Sequence, residues 1–309
     1  MKKKISIVLA SYNGEEYIKE QIVSIQSNNG YNELVEEFII TDDGSTDRTI
    51  SIIKEMQKND KKIKLLNNYN GSGVINNFLN GLKVAIGDVI FLSDQDDIWM
   101  VDKLIVMYNA VVARSDEIPV LGISDSFLVN KDLIKMNETF FSNNKSSFPR
   151  DLRPKSIVVK NIAQGCVMAF NRKLLNMCNL EKNQKWIMHD WWLMLVASIE
   201  GVIFVDKTPL ICYRVHGNNL VGIENGNLLW KLKNFRHLLD RYKHSIVQRL
   251  EQYICIESCL NKSVSISAWD FLRYESSTFR KLMALINYAY IRNEITYLLS
   301  KSSGSKHGK

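Results

Sequence analysis

A chain of 309 residues is long enough to bury a full core, as one large domain or two smaller ones. Its 46% hydrophobic and 24% charged residues are ordinary for a globular protein, and with no run of about 18 apolar residues a membrane-spanning helix is not expected. The net charge of +7 is concentrated: residues 226–309 hold 14 Lys or Arg against 6 Asp or Glu, a basic module suited to a membrane surface or another anionic partner. Five cysteines, odd in number and without a CxxC pair, speak against disulfides or a zinc site.

Three N-terminal lysines precede an apolar run at residues 5–10. That run is shorter than the roughly 7–15 residues of a signal-peptide core. It reads as the first buried strand, so the active site is expected in the cytoplasm. Residues 15–25 read as a helix with Tyr17, Ile18, Ile22 and Ile25 on one face. Residues 37–41 form the second strand, ending at Asp42-Asp43-Gly44, with Ser45 or Thr46 as cap of a helix running to Met56. A third strand at 62–66, a helix at 73–85 and a fourth strand at 89–93 follow, the last ending at Asp94-Gln95-Asp96-Asp97. This β-α-β-α rhythm predicts an α/β protein with an open, mostly parallel sheet flanked by helices. Ligands of such sheets sit beyond the carboxyl ends of the strands, where the polar clusters at 11–15, 42–47 and 94–97 all fall.

Farther on, 120–129 reads as a strand, 137–154 as a polar surface loop, 162–170 as a strand containing Gly165, and 189–197 as a helix. Short strands at 202–205 and 210–213 flank Pro209. From residue 228 the period is helical, with Leu228, Leu232, Phe235, Leu239, Tyr242 and Ile246 in a stripe flanked by Lys231, Lys233, Arg236, Arg241 and Lys243. Such a helix either lies in a membrane interface or packs its stripe on the preceding domain. The implied division is a catalytic domain over 1–217, a basic helical region over 218–301 and a disordered tail over 302–309.

Three carboxylates in Asp94-Gln95-Asp96-Asp97 repel one another unless a cation sits among them, and at a strand end they suit Mg²⁺ or Mn²⁺ together with phosphate oxygens. A solvated, capped turn is the alternative. A carboxylate in Asp42-Asp43-Gly44-Ser45-Thr46-Asp47 can accept hydrogen bonds from a base or ribose, and Tyr12, within Ala10-Ser11-Tyr12-Asn13-Gly14, can stack on a base. Gly165 and Cys166, within residues 164–168, are candidates for the floor of a ligand site, because glycine lets a ligand approach the backbone.

Taken in order, SYNG, DDGSTD and DQDD after strands one, two and four resemble the family 2 glycosyltransferases of the GT-A fold. SDQDDIW, HDWWL and YRVHGNN resemble its rhamnosyltransferase-like branch, which builds bacterial cell-surface polysaccharides. The resemblance covers roughly residues 1–217. It implies a nucleotide site at Ala10, Ser11, Tyr12, Asn13 and Asp43, with Asp94 at its edge, and a metal held by Asp94, Asp96 and His216. Asp190 falls at the position of the catalytic base, and Trp99, Trp191 and Trp192 lie where aromatics would line the sugar or acceptor. Relatives carry a basic residue where this chain has Asn76, which puts a phosphate contact from there in doubt.

The implied reaction is inverting. A divalent ion stabilises the leaving nucleoside diphosphate while Asp190 takes the proton of the attacking hydroxyl. The resemblance points to dTDP-L-rhamnose as donor, with UDP-glucose or UDP-galactose open, and to a lipid-linked saccharide acceptor at the inner face of the plasma membrane. A sugar nucleotidyltransferase is the competing enzyme, although residues 10–15 lack its basic loop. A nucleic-acid-binding module is the competing non-enzyme, but the basic tail matches no nucleic-acid motif, so no nucleic-acid partner is expected.

Overall fold

The computed structural model describes residues 2–68, 72–143, 151–180, 185–215, 234–275 and 277–304. A nine-stranded sheet runs in the order β3-β2-β1-β4-β8-β6-β9-β5, with β7 on β6. The first half is built by β1 (Ile5–Ser11), α1 (Ile18–Gln26), α2 (Tyr31–Leu34), β2 (Val35–Asp42), α3 (Thr49–Asn59), β3 (Ile63–Asn67), α4 (Val74–Val84) and β4 (Val89–Asp94). Strands β1 to β4 are mutually parallel. β1, β2 and β4 each carry an unbroken apolar stretch because helices cover both sides, leaving Ile5, Ile7, Val8 and Leu9 of β1 without solvent contact, while the edge strand β3 exposes Lys64. Neither Ser45 nor Thr46 caps α3: Ser45 bonds Asp42, Thr46 bonds Asn13, and Asp47 Oδ1 accepts the Thr49 N–H at 2.9 Å instead.

The second half is β5 (Ile98–Trp99), α5 (Lys103–Val112), β6 (Val120–Val129), β7 (Lys135–Thr139), α6 (Phe140–Asn143), α7 (Pro154–Val159), β8 (Met168–Asn171), α8 (Arg172–Met177), α9 (His189–Glu200) and β9 (Val202–Arg214). Here β8 inserts antiparallel between β4 and β6, while β9 runs parallel to β6. Six of the nine strands therefore point one way, with β5, β7 and β8 reversed.

Three expectations change. The strand placed at 162–170 is a 3₁₀ turn at Gly165–Val167 followed by the short β8. The two strands around Pro209 are one, β9, whose register against β6 slips between Asp206 and Pro209; a bulge tolerates a proline that cannot donate to the ladder. The loop at 137–154 contains the end of β7, all of α6 and the start of α7.

The C-terminal part is helical: α10 (Phe235–Leu260), α11 (Ala268–Tyr274), α12 (Thr278–Ile286) and α13 (Tyr288–Gly304). Leu228 and Leu232 of the stripe lie outside the described residues. Tyr242 and Ile246 of the stripe are buried, with Leu250 beyond them, and α10 packs on α7, α9 and α13. Over α10 the stripe is thus core, and it does not face lipid. Helix α13 continues to Gly304, into the segment expected to be disordered. No helix among the described residues is long and apolar enough to cross a membrane.

Candidate active site

The parallel register sets the strand ends level. Ala10 pairs with Thr41 on one side and Asp94 on the other, and Ser11 pairs with Asp42. Ser11 is buried and its hydroxyl donates to Asp42 Oδ2 at 2.8 Å. Asp42 also accepts the Gly44 and Ser45 N–H groups, so it shapes the turn from inside. Asp43 stays half-buried at the rim, where its carboxylate accepts from Asn68 Nδ2 at 2.8 Å and from the Gly73 N–H at 2.7 Å. Tyr12 is 55% exposed, leaving its ring free for a planar ligand. Its backbone is fixed by Gln95, which accepts the Tyr12 N–H at 2.9 Å and donates to the Tyr12 carbonyl at 3.0 Å. Asn13 adopts φ +46° and its Oδ1 accepts from the Thr46 N–H. Asn76 turns back to the Ser72 carbonyl at the start of its own helix.

Asp94 and Asp96 are half-buried side by side with Asp97, which is 1% exposed. Asp94, Asp97 and the Cys166 thiol offer ligand atoms within 4.8 Å of one another. Burial, then the negative charges of Asp96 and Asp190, push the Asp94 carboxyl up to about 7. Burial and the negative charges of Asp96 and Asp94 raise Asp97, and burial raises the Cys166 thiol. The donors fit a hard divalent cation: carboxylate oxygens predominate, Asp97 Oδ2 is buried with no hydrogen-bond partner, and a cation would relieve the repulsion at Asp94. Beneath them lies Lys103, fully buried, its ammonium donating to the Cys166 carbonyl and standing 3.8 Å from the Trp99 ring centroid. Burial lowers it to about 8, against the nearby charges of Asp97 and Asp94. His216 lies outside the described residues.

Asp190 opens α9 and is 5% exposed. Burial raises its carboxyl to about 7, although hydrogen bonds from the Trp191 N–H (2.6 Å) and Asn161 Nδ2 (3.0 Å) oppose the shift. His189 beside it stacks on Phe78 at 3.9 Å, and burial lowers its imidazole to about 3, so it is neutral. A carboxylate held near neutrality beside the acidic cluster is equipped to take a proton from a hydroxyl.

A family model described as "Glycosyl transferase family 2" matches residues 6–176, more than half of the chain. The chain belongs to glycosyl transferase family 2. It is a glycosyltransferase, which removes the nucleotidyltransferase and nucleic-acid readings. It is similar to a dTDP-rhamnosyl transferase of Shigella flexneri, RfbG, at 28% identity over 90% of this chain and 99% of that one. It is also similar to an Escherichia coli UDP-Glc:alpha-D-GlcNAc-diphosphoundecaprenol beta-1,3-glucosyltransferase, WfgD, at 30% identity over 70% of this chain and 79% of that one. Among solved structures, S. aureus TarS 1–349 in complex with UDP-GlcNAc shares the fold with a TM-score of 0.54 at 17% identity, covering 94% of this chain and 81% of that one. The mannosyltransferase PcManGT of Pyrobaculum calidifontis, in complex with GDP-Man and Mn²⁺, does so with 0.53 at 15% identity, covering 100% and 77%. The fold is the GT-A type.

Within this glycosyltransferase site the aromatic assignments need correction. Trp99 is 3% exposed under the Lys103 ammonium, so it does not stack on a sugar. Trp192 has no exposure, donates to the Cys178 carbonyl and stacks on Trp186. Trp191 is 8% exposed, with its indole N–H on the Ile157 carbonyl. These three rings fill core. Gly165 and Cys166 are buried too, and the partner Gly165 admits is His189: a Cβ there would stand 2.5 Å from the imidazole Nε2. Lys103 and Asn161 went unread in the sequence, and Gln95 and Asp97 were read only as members of the acidic motif, without the separate roles seen here. Lys103 had a signal, a charged residue four positions before Met107 on a buried helical face.

Proposed function

We propose that the chain transfers L-rhamnose, with inversion, from dTDP-L-rhamnose to a lipid-linked saccharide in cell-surface polysaccharide synthesis. The observation that carries the transfer chemistry is Asp190, a buried carboxyl raised to about 7 and close enough to Asp94 for their charges to interact. Asp94 and Asp96 would hold Mn²⁺ or Mg²⁺, with His216 as a further ligand and Asp97 behind them. The ion, when bound, supplies positive charge to the leaving diphosphate. The protein's part is to seat the base with Tyr12, to hold the nucleoside at Asp43, and to take the acceptor proton on Asp190. The whole-length similarity to a dTDP-rhamnosyl transferase supports the donor, and similarity to an enzyme named for a diphosphoundecaprenol substrate supports a lipid-linked acceptor. The same second relative favours UDP-glucose as the alternative donor.

A membrane-surface location at the inner face of the plasma membrane follows from that acceptor and from the basic tail. It is supported by exposed Leu282, Leu285 and Ile286 beside exposed Lys281 on α12. The test is a donor screen with purified protein and Mn²⁺, reading nucleoside diphosphate release from dTDP-L-rhamnose, UDP-glucose and UDP-galactose. Release from dTDP-L-rhamnose well above the others is expected, and preference for a UDP-hexose would replace the rhamnose assignment.

A further inference from the structure

Two chain segments converge on Asp190, and one helix of the C-terminal region grips both. The first segment ends α7 at Val159 and reaches Asn161, whose Nδ2 donates to Asp190 Oδ1 at 3.0 Å. The Val159 carbonyl sits at a helix C-terminus, where it lacks an intrahelical donor, and its residue is 1% exposed. Arg249 of α10 supplies that donor from Nη1 at 2.7 Å. Arg249 is itself 2% exposed and fixed in place: Nη1 also meets Glu275 Oε1 at 2.7 Å, and Nη2 donates to the Ser245 hydroxyl at 2.6 Å. The second segment leads into α9. Its Ile187 N–H, three residues before Asp190, donates to Gln252 Oε1 at 2.8 Å. Gln252 is fully buried and lies three residues after Arg249, on the same face of α10.

We infer that Arg249 and Gln252 are positioning residues for the catalytic base, which makes the C-terminal helix part of the transfer machinery. The inference rests on the reading of Asp190 as the base. Physically, a general base works only within hydrogen-bond reach of its proton, so small displacements matter. Asn161 can orient the carboxylate only while the end of α7 stays where Arg249 holds it. The start of α9 is likewise set by the Ile187–Gln252 bond. Neither residue touches the strand ends that carry Tyr12, Asp43 and Asp94, so the nucleotide side is independent of them.

The experiment uses full-length protein and nucleoside diphosphate release from dTDP-L-rhamnose, or from UDP-glucose where the screen selects it. Rates are expressed per nucleotide-binding site, counted by calorimetry with the matching nucleoside diphosphate, so that misfolded protein does not enter. Gln252→Met and Arg249→Lys should each lower kcat roughly 10- to 10²-fold with donor KM unchanged. Gln252→Glu, which keeps the acceptor oxygen, should restore most of the rate. Asn161→Ala combined with Arg249→Lys should be little slower than Asn161→Ala alone, because Arg249 holds the segment through which Asn161 reaches the carboxylate. Wild-type kcat per site in both variants, or effects that multiply when Arg249→Lys is combined with Asn161→Ala, would overturn the inference while leaving the base intact. Normal turnover in Asp190→Asn, run in parallel, would overturn both. If Gln252→Met does not fold, the cycle of Arg249→Lys with Asn161→Ala decides.

Discussion

Asp190 carries its proton affinity because the fold buries it, and this gives one substitution two separate signatures. Asp190→Asn keeps size and shape but cannot accept the proton; turnover should fall by at least about 10²-fold, with nucleotide binding little changed. The second signature is in stability. The carboxyl rises from 3.8 to about 7 on folding, so between those values the native state holds a proton that the unfolded chain has lost. Stability contributed by this group therefore declines as pH rises through that window. Thermal melts of wild type and Asp190→Asn should diverge from pH 4 to pH 7 in favour of the variant, and parallel curves would contradict the burial argument. Activity has the opposite slope, rising with pH until Asp190 is ionised. At the acidic cluster, chelator should abolish turnover and Mn²⁺ or Mg²⁺ restore it; Asp96→Ala should lose nearly all transfer with an unchanged melt, whereas full activity in EDTA would end the metal assignment. Asp94 and Asp96 were legible because carboxylates repeated at a strand end repel without a cation. Lys103 and Asn161 were not, and Asp97 was read only as a third carboxylate of the motif, since their work depends on which side chains meet beneath the cluster. Trp99 and Trp192 misled for the same reason: an aromatic beside a polar motif fits a sugar or a core equally well until burial decides.

Among the elements, the short 3₁₀ turn at Gly165–Val167 is where the acidic cluster and Asp190 are joined. Its Cys166 carbonyl receives Lys103 from below, and its Gly165 presses against His189, the residue before Asp190. A methyl group at 165 would stand 2.5 Å from Nε2, closer than real contacts permit, so imidazole or turn must move. Gly165→Ala should cost about 1–3 kcal/mol, the usual range for overpacking, and should lower kcat as well by displacing α9. Urea denaturation together with steady-state rates checks both, and a variant of normal stability would show that the turn can yield. The elements of the first half were readable because buried parallel strands give unbroken apolar runs between polar strand ends. Those of the second half were not. The turn, β8 and β9 lie in a mixed sheet, where β8 is only four residues long and β9 carries a bulge at Asp206–Pro209 that looks like a loop between two strands.

At the scale of the whole molecule, the question is whether the basic tail is a detachable anchor or part of the body. Helix α10 buries Tyr242, Ile246, Leu250, Tyr253 and Ile256, and the buried pair Arg249–Glu275 ties it to the segment after α11. Truncation near residue 225 would expose the opposing faces of α7 and α9 to water, so the shortened protein should be insoluble and inactive. The proposed surface binding would then come from outside that core, where α12 presents Leu282, Leu285 and Ile286, each at least 46% exposed, next to Lys281. Charge attracts from a distance and is screened by salt, whereas apolar insertion is not. Full-length protein should therefore co-sediment with anionic vesicles at low salt, more weakly at high salt, and hardly at all with neutral vesicles. Leu285→Ser with Ile286→Ser should weaken the salt-resistant part while leaving donor turnover unchanged, since α12 packs on α11 and α13 and both side chains face solvent. Equal and negligible sedimentation with both vesicle types would leave the +8 of residues 226–309 as a solvated surface and would remove the membrane-surface proposal.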